Sequence, residues 1–177
     1  TLGFRGEALA SIAAVAQVTL STRAALEEAG TVLRLEAGAV VQRSSQGRPA
    51  GTSVLVENLF FNMPARLKFL RAESTEAGHV GRLLTSYALA YPEKRFTLQH
   101  NNRLVLRTLG SGQVLDVLVS LYGLDVAEQM IPLPPPEEGA AIRVSGLVGA
   151  PSLQRADRQD LIFFVNRRWV MDNSLAF

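Results

Sequence analysis

Two short stretches hold residue types and spacings that could do chemistry. The first, Thr1-Leu2-Gly3-Phe4-Arg5-Gly6-Glu7-Ala8-Leu9-Ala10-Ser11-Ile12, sets two glycines three apart and follows them with a helix-forming run. Gly3 and Gly6 permit backbone angles closed to other residues and let a ligand approach the main chain. From Glu7 onward, Ala8, Leu9, Ile12 and Val15 recur at helical spacing. A glycine turn feeding a helix leaves several backbone N–H groups without internal partners, and they converge where the helix dipole favours negative charge. That is the construction of a phosphate site. The same pattern also caps ordinary helices, and the stretch alone does not choose. The second stretch opens with Gly51-Thr52. Gly51 allows close approach and Thr52 offers a hydroxyl, yet by itself the pair reads equally as a turn residue and a β-branched strand former.

Other chemistries find less support. His79 and His100 are single histidines with no partner at ligand spacing, so no metal site is expected. No Gly-x-Ser-x-Gly and no nucleophile–base pairing occurs, and no residue is assigned as catalytic. Cysteine is absent, which excludes disulfides and thiol–metal sites. Lys68 and Arg71 read as a solvated face. The formal net charge of +2 is compatible with nucleic acid without being diagnostic. No apolar run approaches the roughly 18 residues of a membrane span.

Around these stretches, 177 residues with 47% hydrophobic content suffice for one large or two small cores. The chain is expected to be a fragment of a longer protein. Periodicity predicts a helix over 4–15, with packing beginning at Ala8 and Leu9. Strands are predicted over 17–23 and 31–36, with a short one at 40–42 and a loop at 44–49. The strand over 53–59 carries apolar residues on both faces and is expected to be central. Pro64 suits the first position of a helix, with Asn62 capping it. A helix over 75–90 presents Val80, Leu83, Leu84, Tyr87 and Ala88 as a buried stripe. Tyr91-Pro92-Glu93-Lys94 breaks it and marks the expected domain boundary. A hairpin is predicted around His100-Asn101-Asn102, and a helix over 114–121 ending at Gly123. Residues 132–139 read as a stiff extended connector, and 142–148 and 161–165 as strands.

The stretches GFRGEALASI and GTSVLVENLFFNMPARLKFL closely resemble the MutL family of DNA mismatch-repair proteins, within the wider GHKL group of ATPases. A third piece, Phe164-Val165-Asn166-Arg167-Arg168-Trp169-Val170, is similar to that family's second-domain strand, with Arg167 where many relatives have Gly. The resemblance implies an α/β chain of the α+β two-layer sandwich type. Residues 1–91 would be the C-terminal part of a GHKL ATPase domain, with the lid end and central strands. Residues 92–177 would belong to a transducer domain like domain 2 of ribosomal protein S5. It implies ATP as cofactor, with backbone from Gly3, Phe4, Arg5, Gly6, Glu7, Ala8 and Leu9 at the phosphates and Thr52 at the adenine end. The general base and the protein ligand of Mg²⁺ would lie outside these residues, so the fragment alone is expected to be inactive. The implied function is an ATP-dependent switch in mismatch repair. The implied partners are DNA, a MutS-type mismatch recognition protein, a downstream nuclease or helicase, and a second copy joined by ATP-dependent dimerisation, with no membrane. The compartment would be the cytoplasm beside the nucleoid in a bacterium and the nucleus in a eukaryote. Arg143, Arg155, Arg158, Arg167 and Arg168 are the candidate DNA contacts. Type II topoisomerases and Hsp90-like chaperones share the pocket logic, and a non-enzymatic nucleic-acid-binding module is a third reading.

Overall fold

A computed structural model describes residues 6–154 and 160–171, and the chain divides into two compact units, residues 1–71 and 72–177. The fold is α+β, and every strand pairing among the described residues is antiparallel.

In the first unit α1 (Ala8–Ala13) leads into β1 (Gln17–Arg23), β2 (Gly30–Glu36), β3 (Ala39–Gln46) and β4 (Gly51–Glu57), and α2 (Pro64–Leu67) follows. The strands form one sheet in the order β3-β2-β1-β4. The ladder sets Val18 between Leu35 and Val56, Leu20 between Leu33 and Val54, and Thr22 between Thr31 and Thr52. Strand alternation puts all of these on one face. Against that face α1 packs Ala13 and Ala16 onto Val18, with Ile12 and Leu35 closing the cluster.

Five expectations change here. The helix over 4–15 shortens to Ala8–Ala13. Gly6 has φ +69°, which cannot continue a helix. At the other end the carbonyls of Ala13, Ala14 and Val15 accept from Gly38 N, Asn62 Nδ2 and Phe60 N, at 2.8, 2.9 and 2.7 Å. Tertiary donors thus satisfy the helix end. Asn62 therefore holds the end of α1 instead of capping α2, although Pro64 does open α2 as expected. Packing begins at Ile12 and Ala13, while Ala8 and Leu9 stay exposed. β3 pairs with β2 through Gln46, so Ser44, Ser45 and Gln46 are strand and not loop: their polarity reports exposure. β4 is an edge strand and not a central one among the described residues. Val54, Leu55 and Val56 are all exposed, so apolar residues on both faces of this strand report neither cover nor neighbours alongside among the described residues.

The second unit comprises α3 (Glu73–Ala90), β5 (Thr97–His100), β6 (Arg103–Arg107), α4 (Val114–Tyr122), α5 (Leu124–Ala127), β7 (Met130–Pro132), β8 (Leu147–Gly149), β9 (Phe163–Val165) and β10 (Arg168–Val170). Strands β5 and β6, β7 and β8, and β9 and β10 pair two by two. Its buried residues include Ala88, Leu106, Val117, Leu118 and Ala127. Thr108, also buried, accepts from Phe96 N and donates to Lys94 O, so its burial leaves no polar group unpaired. The hairpin turns at Asn101-Asn102 and α4 stops at Gly123, φ +88°, as expected.

The strand expected over 142–148 begins only at Leu147, and Ile142 is 82% exposed. Leu147 pairs with Pro132, where β7 ends because proline has no N–H to extend the ladder. Of the stripe expected on α3, Ala88 is buried, Leu84 and Tyr87 are half-buried, and Val80 and Leu83 are exposed. By contact α3 groups with the second unit, packing on α4, β5 and β10, whereas the break in the sequence falls at residue 91.

Candidate functional site

Of the residues expected at the phosphates, Gly3, Phe4 and Arg5 lie outside the described residues. Gly6, Glu7, Ala8 and Leu9 are all exposed. Gly6 holds a left-handed backbone, and a Cβ built on it meets nothing within 4 Å. The space in front of this main chain is open, and the conformation favours glycine. Glu7 stands at the N-cap of α1 without a side-chain hydrogen bond to the helix. Among the described residues the first bond of this helix is Ser11 N to Glu7 O at 2.9 Å, and the amides of a first helical turn have no partner within the helix itself.

Thr52 sits on β4 opposite Thr22, and their hydroxyl oxygens lie 2.8 Å apart. One hydroxyl donates to the other, so the pair retains a spare proton or lone pair to offer outward. Gly51 has φ +129° and again no atom within 4 Å of a built Cβ. Thr22 and Val18 share a parity on β1, and Val18 carries the packing of α1. The structure thus places Thr52 and α1 on the same face of one sheet. Thr22 escaped the sequence reading; its signal was the alternation Val18, Leu20, Thr22 that ends on a hydroxyl.

These residues fit a nucleotide in two respects: bare left-handed glycine backbone before a helix without a side-chain cap, and an exposed hydroxyl on the same sheet face. Among the described residues, no group of three or more His, Asp or Glu side chains is placed to hold a metal ion.

The arginine candidates scatter. Arg155 and Arg158 lie outside the described residues. Arg143 is exposed between β7 and β8. Arg168 is exposed on β10 and already has a partner. Arg167, itself exposed, reaches the end of α3: Nε donates to Ala90 O at 3.0 Å and Nη2 lies 2.8 Å from both Glu93 oxygens. Its guanidinium also lies 4.3 Å from the Tyr91 ring centroid. Its φ of 64° is left-handed backbone, which glycine adopts more readily than arginine. The second unit also holds an apolar groove of about 750 Å³, lined among others by Leu115, Leu118, Leu147, Leu153 and Phe164. No helix among the described residues is long and apolar enough to cross a membrane.

The family described as DNA mismatch repair protein, C-terminal domain, matches residues 118–176. The DNA mismatch repair protein MutL of Desulforudis audaxviator is 47% identical over 170 residues, 96% of this chain and 30% of that protein. MutL of Symbiobacterium thermophilum is 45% identical over 170 residues, again 96% of this chain and 26% of that protein. Among solved structures, the Aquifex aeolicus MutL ATPase domain complexed with ADP matches with a TM-score of 0.79 and 31% identity, over 97% of this chain and 65% of that one. The chain spans roughly a third or less of the length of the curated relatives it matches.

Proposed function

Since the chain belongs to the MutL family of DNA mismatch-repair proteins, we propose that it supplies one wall of an ATP pocket and the relay domain beside it, in a protein that acts as an ATP-driven switch. The observation that carries this is the shared sheet face: the Gly6–Leu9 backbone leads into α1, and Thr52 stands on the strand face that α1 packs against. In this reading the Gly3–Leu9 backbone takes the phosphates and Thr52 takes the adenine end, directly or through water. Arg5 adds charge beside the phosphates. Glu7 points its carboxylate away from them and toward the helix amides. Bound ATP, with Mg²⁺, would supply the free energy of phosphate release that resets the switch. The base and the metal ligand belong to residues beyond this chain, so the chain alone does not hydrolyse ATP.

Residues 1–91 are then the ATPase portion and residues 92–177 the S5-like transducer portion. Nucleotide binding orders the glycine stretch, joins two copies, and so signals to a MutS-type protein, a nuclease or helicase, and DNA. Arg143, Arg155, Arg158 and Arg168 remain the proposed DNA contacts. The similarity to MutL proteins supports this reading over the topoisomerase and chaperone alternatives.

Two substitutions in the full-length protein test the pocket. Thr52→Val keeps the strand former and removes the hydroxyl, and ATP affinity falls several-fold, as expected for a bond worth about 1 kcal/mol. Thr22→Val removes the same inter-strand bond and serves as the control. Equal effects of the two would reduce Thr52 to a strand residue. Gly6→Val meets no clash, but a β-branched residue at φ +69° is strained. It therefore blocks ATP-dependent dimerisation more than it weakens ADP binding. Normal dimerisation of Gly6→Val would sink the phosphate assignment.

A further inference from the structure

Arg23 ends β1 between two glycines. Gly51 lies opposite it on β4, and Gly30 opens β2 one step past the Thr22–Thr31 pair. Its side chain therefore rises from a bare strip of backbone. Gly30 is bare for a packing reason: a Cβ built there would sit 2.7 Å from Arg48 Cγ, 2.8 Å from Arg48 Cδ and 2.9 Å from Thr22 O. The Arg48 stem thus lies against Gly30, and its guanidinium reaches β4, where Nη2 donates to Ser53 Oγ at 3.2 Å. By alternation Arg23, Gly30, Gly51 and Ser53 share one face, the face opposite Thr22 and Thr52.

Both guanidiniums are incompletely partnered. Arg23 Nη1 donates to Glu27 O, while Arg23 Nε and Arg48 Nη1 are buried with no hydrogen-bond partner. Neither arginine is paired with a carboxylate among the described residues. Glu27, on the adjoining turn, spends Oε2 on Ala24 N at 3.0 Å. Buried charged donors without acceptors are costly, and an ordered water or a bound anion is what completes such groups in native structures.

We propose that Arg23 and Arg48, with Ser53 Oγ, form a phosphate-binding site at the end of the first unit's sheet, on the face away from the Thr52 pocket. Two guanidinium forks and a hydroxyl match the several acceptor oxygens of a tetrahedral phosphate, which is the group arginine binds best. The phosphate belongs either to a small free molecule or to a nucleic-acid backbone, and the chemistry of recognition is the same.

Equilibrium dialysis of the full-length protein against inorganic phosphate tests the site. Arg23→Gln and Arg48→Gln each lower phosphate affinity at least tenfold, and Ser53→Ala lowers it two- to threefold. Gly30→Ala, which keeps every charge but displaces the Arg48 stem, gives a loss comparable to Arg48→Gln. Should Arg23→Gln unfold the protein, Arg48→Lys provides a milder variant with a several-fold loss. Thr52→Val leaves phosphate binding at this site unchanged. A short DNA duplex identifies the source: it displaces phosphate, with a salt slope that falls by about two in the double arginine variant, if the backbone is the ligand. A duplex that fails to displace phosphate assigns the site to a small phosphate. The proposal is overturned if neither phosphate nor duplex binding depends on these arginines, or if phosphate binding disappears with Gly6→Val instead.

Discussion

The two ends of α3 are held by two hairpins that share a turn and differ in chemistry. Asn101 and Asn102 close β5–β6 at φ 49° and 60°, and Asn166 and Arg167 close β9–β10 at φ 49° and 64°. At the start of the helix Glu73 Oε1 accepts His100 Nε2 and Asn101 Nδ2, each at 2.9 Å. At its end Arg167 takes the Ala90 carbonyl, the Tyr91 ring and Glu93 together. The carboxylate sits at the first turn and the cation at the last carbonyls, each at the end that the helix dipole favours. Asparagine tolerates the left-handed backbone by itself, so the first turn is set locally. Arginine does not favour it, so the second turn stands on the contacts its side chain makes elsewhere in the unit.

Arg167→Ala breaks that comparison hardest. It keeps the left-handed residue and removes every contact. The aromatic contact contributes about 0.5–1 kcal/mol and the carbonyl bond about 1 kcal/mol, before Glu93 is counted. Arg167→Gly loses the same contacts but relieves a backbone strain of about 1 kcal/mol, partly offset by glycine's freedom in the unfolded chain. Urea unfolding is therefore expected to rank Arg167→Ala below Arg167→Gly. Equal costs would mean that the turn stores no strain.

A smaller effect is expected at the other hairpin. Asn102→Ala changes only the backbone preference, worth about 1 kcal/mol, and Asn102→Gly is close to neutral. If Asn102→Ala costs as much as Arg167→Ala, the first turn is not set by its own residues.

This contrast also explains what the sequence made legible. Asn101-Asn102 marked its hairpin because the signal lies in the turn residues themselves. Gly123 ended α4 for the same reason, and Pro64 opened α2. The misses depend on partners. β8 begins late because Pro132 ends its partner strand, and α1 ends early because Gly38, Phe60 and Asn62 take its last carbonyls. No window around Val54 reveals that β4 runs at an edge. Within the candidate site, Gly6 and Thr52 were visible through residue type and motif. Thr22 was not, because its significance lies in strand register; nor were Arg23 and Arg48 on the opposite face, which strand pairing and the packing of the Arg48 stem on Gly30 bring into view.

Acid gives the mildest test, and it separates the two ends. The Asn101 amide, then the His100 hydrogen bond and charge, hold the Glu73 carboxyl below its ordinary value of 4.5. For Glu93 its own backbone N–H comes first and the Arg167 hydrogen bond second, and its carboxyl is also lowered from 4.5. A depressed carboxyl contributes stability that is fully present above the unfolded value and is lost as pH falls through the folded one. Neither end should therefore change on account of these groups between about pH 7 and pH 5. Below 4.5 the ends diverge. Both contacts at the start of α3 converge on Glu73 Oε1, so protonation weakens them together. Arg167 loses only its Glu93 contacts and keeps Ala90 O and the Tyr91 ring. Hydrogen exchange, corrected for its intrinsic pH dependence, should show β5–β6 losing protection before β9–β10 as the solution is acidified. Glu73→Gln should remove the pH dependence at the first hairpin and leave it at the second. The reverse order of loss would show that Arg167 depends on Glu93 alone, and that the two hairpins hold α3 in the same way after all.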